Sequence, residues 1–229
     1  MIVQNLNIVE EKILEKCSKA GRNRSEIRLI AVSKTQPVEV INLAIEAGLK
    51  DFGENKAQEL KEKADAVSGK IFWHFIGHLQ TNKVKYIINT SEYIHSVDSL
   101  KLAEEISKRA ETINKNQKIL LEINTSNEAS KFGLKKESEI LNIAEFCETR
   151  KNLNLIGLMT MAPLTKDVRI IRNCFSRLRE LKEKLNARGL KLSELSMGMT
   201  NDYEIAVEEG ATMLRIGTAI FGKRKTLMG

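Results

Sequence analysis

Short apolar runs alternate along this chain with longer segments whose apolar residues return at helical spacing. The first segment, from about Asn5 to Ala20, carries Leu6, Val9, Ile13 and Cys17 on one stripe and stops at Gly21. Strand patterns follow at Leu29–Ser33, Lys50–Gly53, Ile71–Ile76, Tyr93–Val97, Ile119–Asn124, Ile156–Thr160, Leu192–Ser196 and Met213–Ile216. Helical patterns fill the gaps, at Pro37–Gly48 and around Lys56–Val67, Asn82–Ile88, Leu100–Ile113, Ser138–Arg150, Val168–Ala187 and Tyr203–Glu208. Pro37 opens its helix and Gly48 closes it, the expected asymmetry of helix ends. Glu46–Gly53 is echoed by Glu208–Gly217: an acidic helix end, a glycine cap, then a strand running into glycine.

Eight strand-then-helix units in one domain-sized chain predict an α/β fold. The expected architecture is a single closed (β/α)8 TIM barrel over residues 1–229, with the first helix as an extra. A doubly wound open sheet is the alternative. No composition break or long linker interrupts the alternation, and candidate site residues sit at both ends of the chain. Closure makes the first and last strands neighbours, which brings Lys34 beside Arg215; an open sheet usually separates them.

Composition narrows the class. Hydrophobic residues make up 42% of the 229 and charged residues 29%, the balance of a soluble globular chain. No apolar stretch is long enough to span a bilayer, and Glu10, Glu11 and Glu15 break up any signal-peptide core, so a cytoplasmic location is expected. Cys17, Cys147 and Cys174 each lie in a helical pattern, which reads as buried or half-buried thiols rather than disulfides, zinc ligands or a nucleophile. The net charge of +7 is spread along helix faces with glutamates interleaved, as in Glu59, Lys61, Glu62 and Lys63. That mixture reads as a solvated helix surface, not a nucleic-acid interface, and the Lys223-Arg224-Lys225 run is too short to change this. The surplus still draws small anions.

The chemistry concentrates at strand ends. Lys34 closes the first strand, where a desolvated amine has a lowered pKa and can condense with an aldehyde; a lysine snorkelling to the surface is the plain alternative. After the seventh strand, Ser196-Met197-Gly198-Met199-Thr200 joins hydroxyls to a glycine that lets an anion approach the backbone. After the eighth, Arg215-Ile216-Gly217-Thr218 adds a guanidinium, an amide and a hydroxyl, in the region where barrels often hold phosphate. Arg215 shares a strand face with Met213 and needs a partner if it points inward. Gly53-Glu54-Asn55-Lys56 and Gly77-His78 either wall a pocket or cap helices. His74 reads as a hydrogen-bonded core residue, while His78 is better placed for the mouth. The methionines of Met159-Thr160-Met161-Ala162-Pro163 are expected against a ligand ring. No histidines have metal-ligand spacing, so no metal is expected. Together these residues fit an aldehyde cofactor carrying a phosphate.

Six stretches, Ala31–Lys34, Phe52–Asn55, Trp73–Lys83, His95–Asp98, Leu195–Thr200 and Arg215–Gly222, resemble the YggS/PROSC family of pyridoxal phosphate homeostasis proteins, in that family's order and across nearly the whole chain. The resemblance implies a barrel similar to the N-terminal domain of bacterial alanine racemase, with pyridoxal 5′-phosphate (PLP) bound as a Schiff base on Lys34. It implies that Ser196, Gly198, Gly217 and Thr218 hold the phosphate, that Arg215 faces the pyridine nitrogen and that Asn55 lines the pocket. Many members have serine where Thr200 stands, a change that keeps the hydroxyl.

An arginine at the pyridine nitrogen disfavours its protonation and weakens the ring as an electron sink. Racemases of this type also use a second, β-rich domain that supplies a tyrosine at a dimer interface. Here only Lys223 to Gly229 follow the last barrel motif, and Tyr86, Tyr93 and Tyr203 do not sit at strand ends. With Lys34 as the one placed acid/base, the expectation is a monomeric, non-catalytic carrier. Such a protein would hold PLP, buffer its free level and hand it to apo-enzymes. A small PLP-dependent amino-acid racemase is the competing reading.

Overall fold

The structure, a computed structural model, describes residues 1–126, 128 and 131–222. The basic run Lys223-Arg224-Lys225 lies outside the described residues.

Eight strands form a closed, all-parallel barrel in chain order: β1 (Arg28–Val32), β2 (Asp51–Glu54), β3 (Phe72–Phe75), β4 (Ser91–Val97), β5 (Gln117–Glu122), β6 (Leu153–Met159), β7 (Glu194–Ser196) and β8 (Met213–Ile216). Closure through β1 and β8 aligns Ile30 with Arg215 and Ala31 with Ile216, which excludes the open sheet. The helices are α1 (Ile2–Lys19), α2 (Val38–Glu46), α3 (Ala57–Ala66), α4 (Val84–Ile87), α5 (Leu100–Thr112), α6 (Glu137–Glu148), α7 (Val168–Asn186), α8 (Tyr203–Glu208) and α9 (Thr218–Phe221).

Strand alternation sorts the side chains into two cores. Outward residues such as Phe52, Trp73, Phe75, Ile94 and Leu214 meet the helices in one large apolar cluster. Inward residues form a smaller apolar group, Ile30, Tyr93, Leu120, Met159 and Met213. The polar residues His74, His95, Ser196 and Arg215 are buried with them.

The extra helix has a physical reason. The helix after β8 is the four-residue α9, too short to cover its strand. Helix α1 packs on α8 and α9 instead, burying Leu6, Val9, Ile13 and Cys17. Burial of Leu6, Val9 and Ile13 contributes about 1.5–3 kcal/mol each. Asn5 Nδ2 donates to Ile220 O at 2.9 Å, anchoring the first turn, so the helix begins at Ile2 rather than near Asn5.

Most strand boundaries shift by one to three residues from the sequence pattern, and for two of them the cause is visible. β6 starts at Leu153, ahead of the apolar run, because Leu153 and Asn154 pair with Gln117 and Lys118 of β5. β7 starts only at Glu194, because Asn186 captures Leu192 by donating to its carbonyl and accepting from its amide. The echoed glycine caps hold: Gly48 and Gly210 take φ of 95° and 93°, the left-handed stop that favours glycine. Cys17, Cys147 and Cys174 are all free and buried.

Candidate functional site

The carboxyl ends of the strands open onto a cavity of about 270 Å³, near the lower edge of small-molecule sites. Lys34, Asn55, Arg215, Gly217 and Thr218 all line it, with Thr200 and Met161. Residues far apart in sequence meet here because β1 and β8 are hydrogen-bonded neighbours. Lys34 is half-buried, not desolvated, and follows β1 by two residues in a turn. Thr35 holds that turn at φ 64°, a conformation costly for a β-branched residue.

A charge cluster clamps the turn from outside. Lys63 Nζ donates to Ser33 O at 2.7 Å, Glu54 Oε1 at 2.8 Å and Glu59 Oε1 at 2.7 Å. Ser33 Oγ donates to Glu54 Oε1 at 2.6 Å, and Glu59 accepts the Thr35 amide. Lys63 therefore corrects the reading of this helix face as solvated: the residue is buried because Glu54, fully enclosed at the end of β2, requires a cation. Burial still leaves the Glu54 carboxyl above its usual range, against the pull of Lys63 and Ser33.

Asn55 is set by the next strand. A Cβ at Gly77 would fall 2.2 Å from Asn55 O, so only glycine lets the loop after β3 pack beneath Asn55. Met161 lines the cavity, but Met159 is enclosed inside the barrel below it, a correction to the expectation that both methionines meet a ligand. His78 sits at the rim, stacked on Phe132 with centroids 3.8 Å apart and Nδ1 3.5 Å from Asp98 Oδ2.

Arg215 dominates the electrostatics. It is 3% exposed, and Nη1 donates to Ser196 Oγ at 2.5 Å while Nη2 donates to Thr160 O at 2.8 Å. Among the described residues no carboxylate forms an ion pair with it. Burial lowers its pKa to about 10, with Asp202 and Glu122 opposing at longer range. A buried guanidinium held only by neutral acceptors leaves its charge available to an anionic or electron-rich ligand.

Two of the sequence candidates do not line the cavity. Ser196 is fully buried, and its hydroxyl is occupied by Arg215 and by His95 Nδ1 at 2.8 Å. Gly198 shapes the turn: its φ is 91°, and a Cβ there would lie 2.5 Å from Ala206 Cβ of α8. The turn passes Thr200 to the cavity, where its hydroxyl accepts from the Ala219 amide at 3.3 Å.

Sequence reasoning missed His95, Asp51 and Glu122 as contributors. Glu122 ends β5 with its carboxyl raised to about 7 by burial and by Asp98, against Arg215. Inward strand alternation past Leu120 was the available signal.

With this geometry, relatives can be placed. The family profile described as alanine racemase, N-terminal domain, matches residues 10–225. Alanine racemase from Streptomyces coelicolor A3(2) superposes with a TM-score of 0.74 at 15% identity, covering 97% of this chain and 59% of that one, a likeness of fold alone. The barrel is thus of the alanine racemase N-terminal-domain type.

Much nearer relatives share the full length. A pyridoxal phosphate homeostasis protein from Aquifex aeolicus (strain VF5) is 42% identical over 97% of this chain and 98% of its own. One from Pseudomonas aeruginosa is also 42% identical, over 97% and 96%. PipY of Synechococcus elongatus PCC7942, solved with PLP bound, superposes with a TM-score of 0.84 at 31% identity, covering 97% of this chain and all (100%) of that one. The chain belongs to the family of pyridoxal phosphate homeostasis proteins.

Proposed function

We propose that this chain is a PLP-binding homeostasis protein that holds the cofactor as a Schiff base on Lys34. The observation that supports this most is one cavity containing an amine, a buried guanidinium without a bonded carboxylate, and the Gly217-Thr218 turn. An aldehyde, a ring nitrogen and a phosphate on one small molecule match those three groups. The residues fit the cofactor, whose bound form supplies an imine and a conjugated electron-accepting ring.

The chain's own residues then divide the work. Lys34 Nζ condenses with the aldehyde and releases water. Gly217 and Thr218, with Thr200 beside them, take the phosphate. Gly198 serves the same end indirectly by turning the β7 loop inward, whereas Ser196 acts through Arg215, which it tethers. Asn55 lines the ring pocket, and Arg215 faces the pyridine nitrogen, where its positive charge disfavours protonation.

In this reading the protein works without turnover, as a cytoplasmic monomer that buffers free PLP and hands it to apo-enzymes. Support comes from the lining: among the described residues Lys34 is its one amine, no tyrosine reaches it, and its carboxylate, Asp202, is engaged by the Met199 amide at 2.5 Å. Proton transfer on both faces of an amino acid needs two placed groups. The relatives above are named for homeostasis rather than for a reaction.

Adding PLP to the apo-protein should produce a visible imine band, and borohydride reduction followed by peptide mapping should mark Lys34. Incubation with single-enantiomer amino acids should leave each enantiomer unchanged. Sustained interconversion would favour a small racemase instead. Sedimentation of the loaded protein should report one chain per particle.

A further inference from the structure

A line of hydrogen bonds runs through the barrel from the cavity to its opposite end. Arg215 Nη1 donates to Ser196 Oγ, 2.5 Å away, and His95 Nδ1 is 2.8 Å from the same hydroxyl. His95 Nε2 lies 2.9 Å from His74 Nδ1, and His74 Nε2 lies 2.9 Å from Asp51 Oδ1. Asp51 begins β2 and also accepts from Arg28 Nη1 at 2.8 Å. Ser196, His95 and His74 are fully buried.

The two ends fix the direction of every bond between them. A guanidinium only donates, and an ionised carboxylate only accepts. The Ser196 hydroxyl accepts from Arg215, so its proton goes to His95 Nδ1. His95 must then carry its proton on Nε2 and donate to His74 Nδ1, and His74 carries its own on Nε2 and donates to Asp51. In this arrangement each ring nitrogen and the hydroxyl are satisfied once. The reverse direction requires a protonated Asp51 and leaves the Ser196 proton without an acceptor. Burial would raise Asp51, but bonds from His74 and Arg28 outweigh it and hold the carboxyl below its usual range. Burial lowers both imidazoles, which keeps them neutral.

We propose that His95 and His74 are positioning residues: a one-way relay from Asp51 through Ser196 fixes the Arg215 guanidinium without a carboxylate bonded to it. A carboxylate bonded directly to Arg215 would neutralise it where the ring nitrogen sits. The relay supplies one neutral acceptor at the guanidinium and ends on a carboxylate at the far end of the barrel, while Asp202, which lines the cavity, is bonded to the Met199 amide and not to Arg215. Mutual polarisation strengthens such chains beyond isolated bonds. The effect on the cofactor rests on the reading that Arg215 faces the pyridine nitrogen; the relay itself does not.

Two measurements test it, the first without cofactor. Nitrogen-15 NMR of the apo-protein near neutral pH should show His74 and His95 as neutral Nε2–H tautomers. Slowly exchanging Arg215 guanidinium signals should disappear in His95→Phe. An Nδ1–H tautomer or an imidazolium at either ring overturns the proposal, as does an Arg215 spectrum indifferent to His95→Phe. The second uses PLP-loaded protein. Asp51→Asn keeps an acceptor but removes the distant charge, so the imine pKa should fall by roughly half a unit. An unchanged imine pKa with the tautomers intact also overturns it. If the wild type forms no imine, the PLP reading fails, while the apo-protein spectra still decide the relay.

Discussion

Replacing Lys63 with methionine keeps most of the aliphatic stem and deletes the ammonium that bonds Ser33, Glu54 and Glu59. Glu54 is fully buried, and its second oxygen, Oε2, already has no hydrogen-bond partner among the described residues. Leaving one member of a buried pair uncompensated costs about 3–5 kcal/mol. Glu54 can relieve that cost by taking up a proton, which burial already favours. A carboxyl raised in the folded state keeps a proton that the unfolded chain sheds, so its contribution to stability is lost as pH rises past the unfolded value. Each such unit is worth ~1.4 kcal/mol. Between about pH 5 and about pH 7 the variant's deficit against wild type should grow by up to ~2.7 kcal/mol. Urea unfolding at the two pH values measures this directly. The Glu54→Gln/Lys63→Met double variant should regain most of the loss. A neutral-pH deficit below ~1 kcal/mol, or one equal at both pH values, would refute the buried-charge argument. The loss should reach function as well, because Ser33 and Thr35 flank Lys34. Imine formation in Lys63→Met should be weaker even where the fold is intact.

Other substitutions test separate parts of the account. Lys34→Ala should abolish the imine band while residual, non-covalent PLP binding survives in equilibrium dialysis. Gly198→Ala should destabilise the chain by about 1–3 kcal/mol in chemical denaturation, because a side chain is strained at φ 91° and meets Ala206. Glu122 keeps its proton in the folded state up to about 7, so the stability it contributes should fade as pH rises from the unfolded carboxyl value towards 7. Across that range wild type should lose about 3 kcal/mol of stability relative to Glu122→Gln in urea unfolding. Cys147, its thiol pushed up to about 12 by burial, should resist alkylation until the protein unfolds.

The barrel was legible because each strand and helix keeps its own period, and because Gly48 and Gly210 mark equivalent turns. The site was legible where function sits at strand ends, as with Lys34, Arg215, Gly217 and Thr218. Residues that act from inside strands were harder to read. His74 and His95 look like core residues in sequence, and nothing local says that their rings meet, because that contact depends on β3 and β4 pairing in register. Ser196 was read as a phosphate ligand because hydroxyl and glycine lie close together in sequence. Strand alternation instead turns its side chain inward to Arg215. Lys63 was misread for the converse reason: helix α3 is charged on most faces, and only the buried Glu54 distinguishes one lysine from its neighbours.

The most direct measurement is a crystal structure of the protein with PLP bound. Continuous density from Lys34 Nζ to the cofactor's aldehyde carbon, the phosphate against Gly217 and Thr218, and the Arg215 guanidinium within hydrogen-bond reach of the ring nitrogen are the predicted result. Cofactor attached to another lysine, or seated with its ring away from Arg215, would contradict the account.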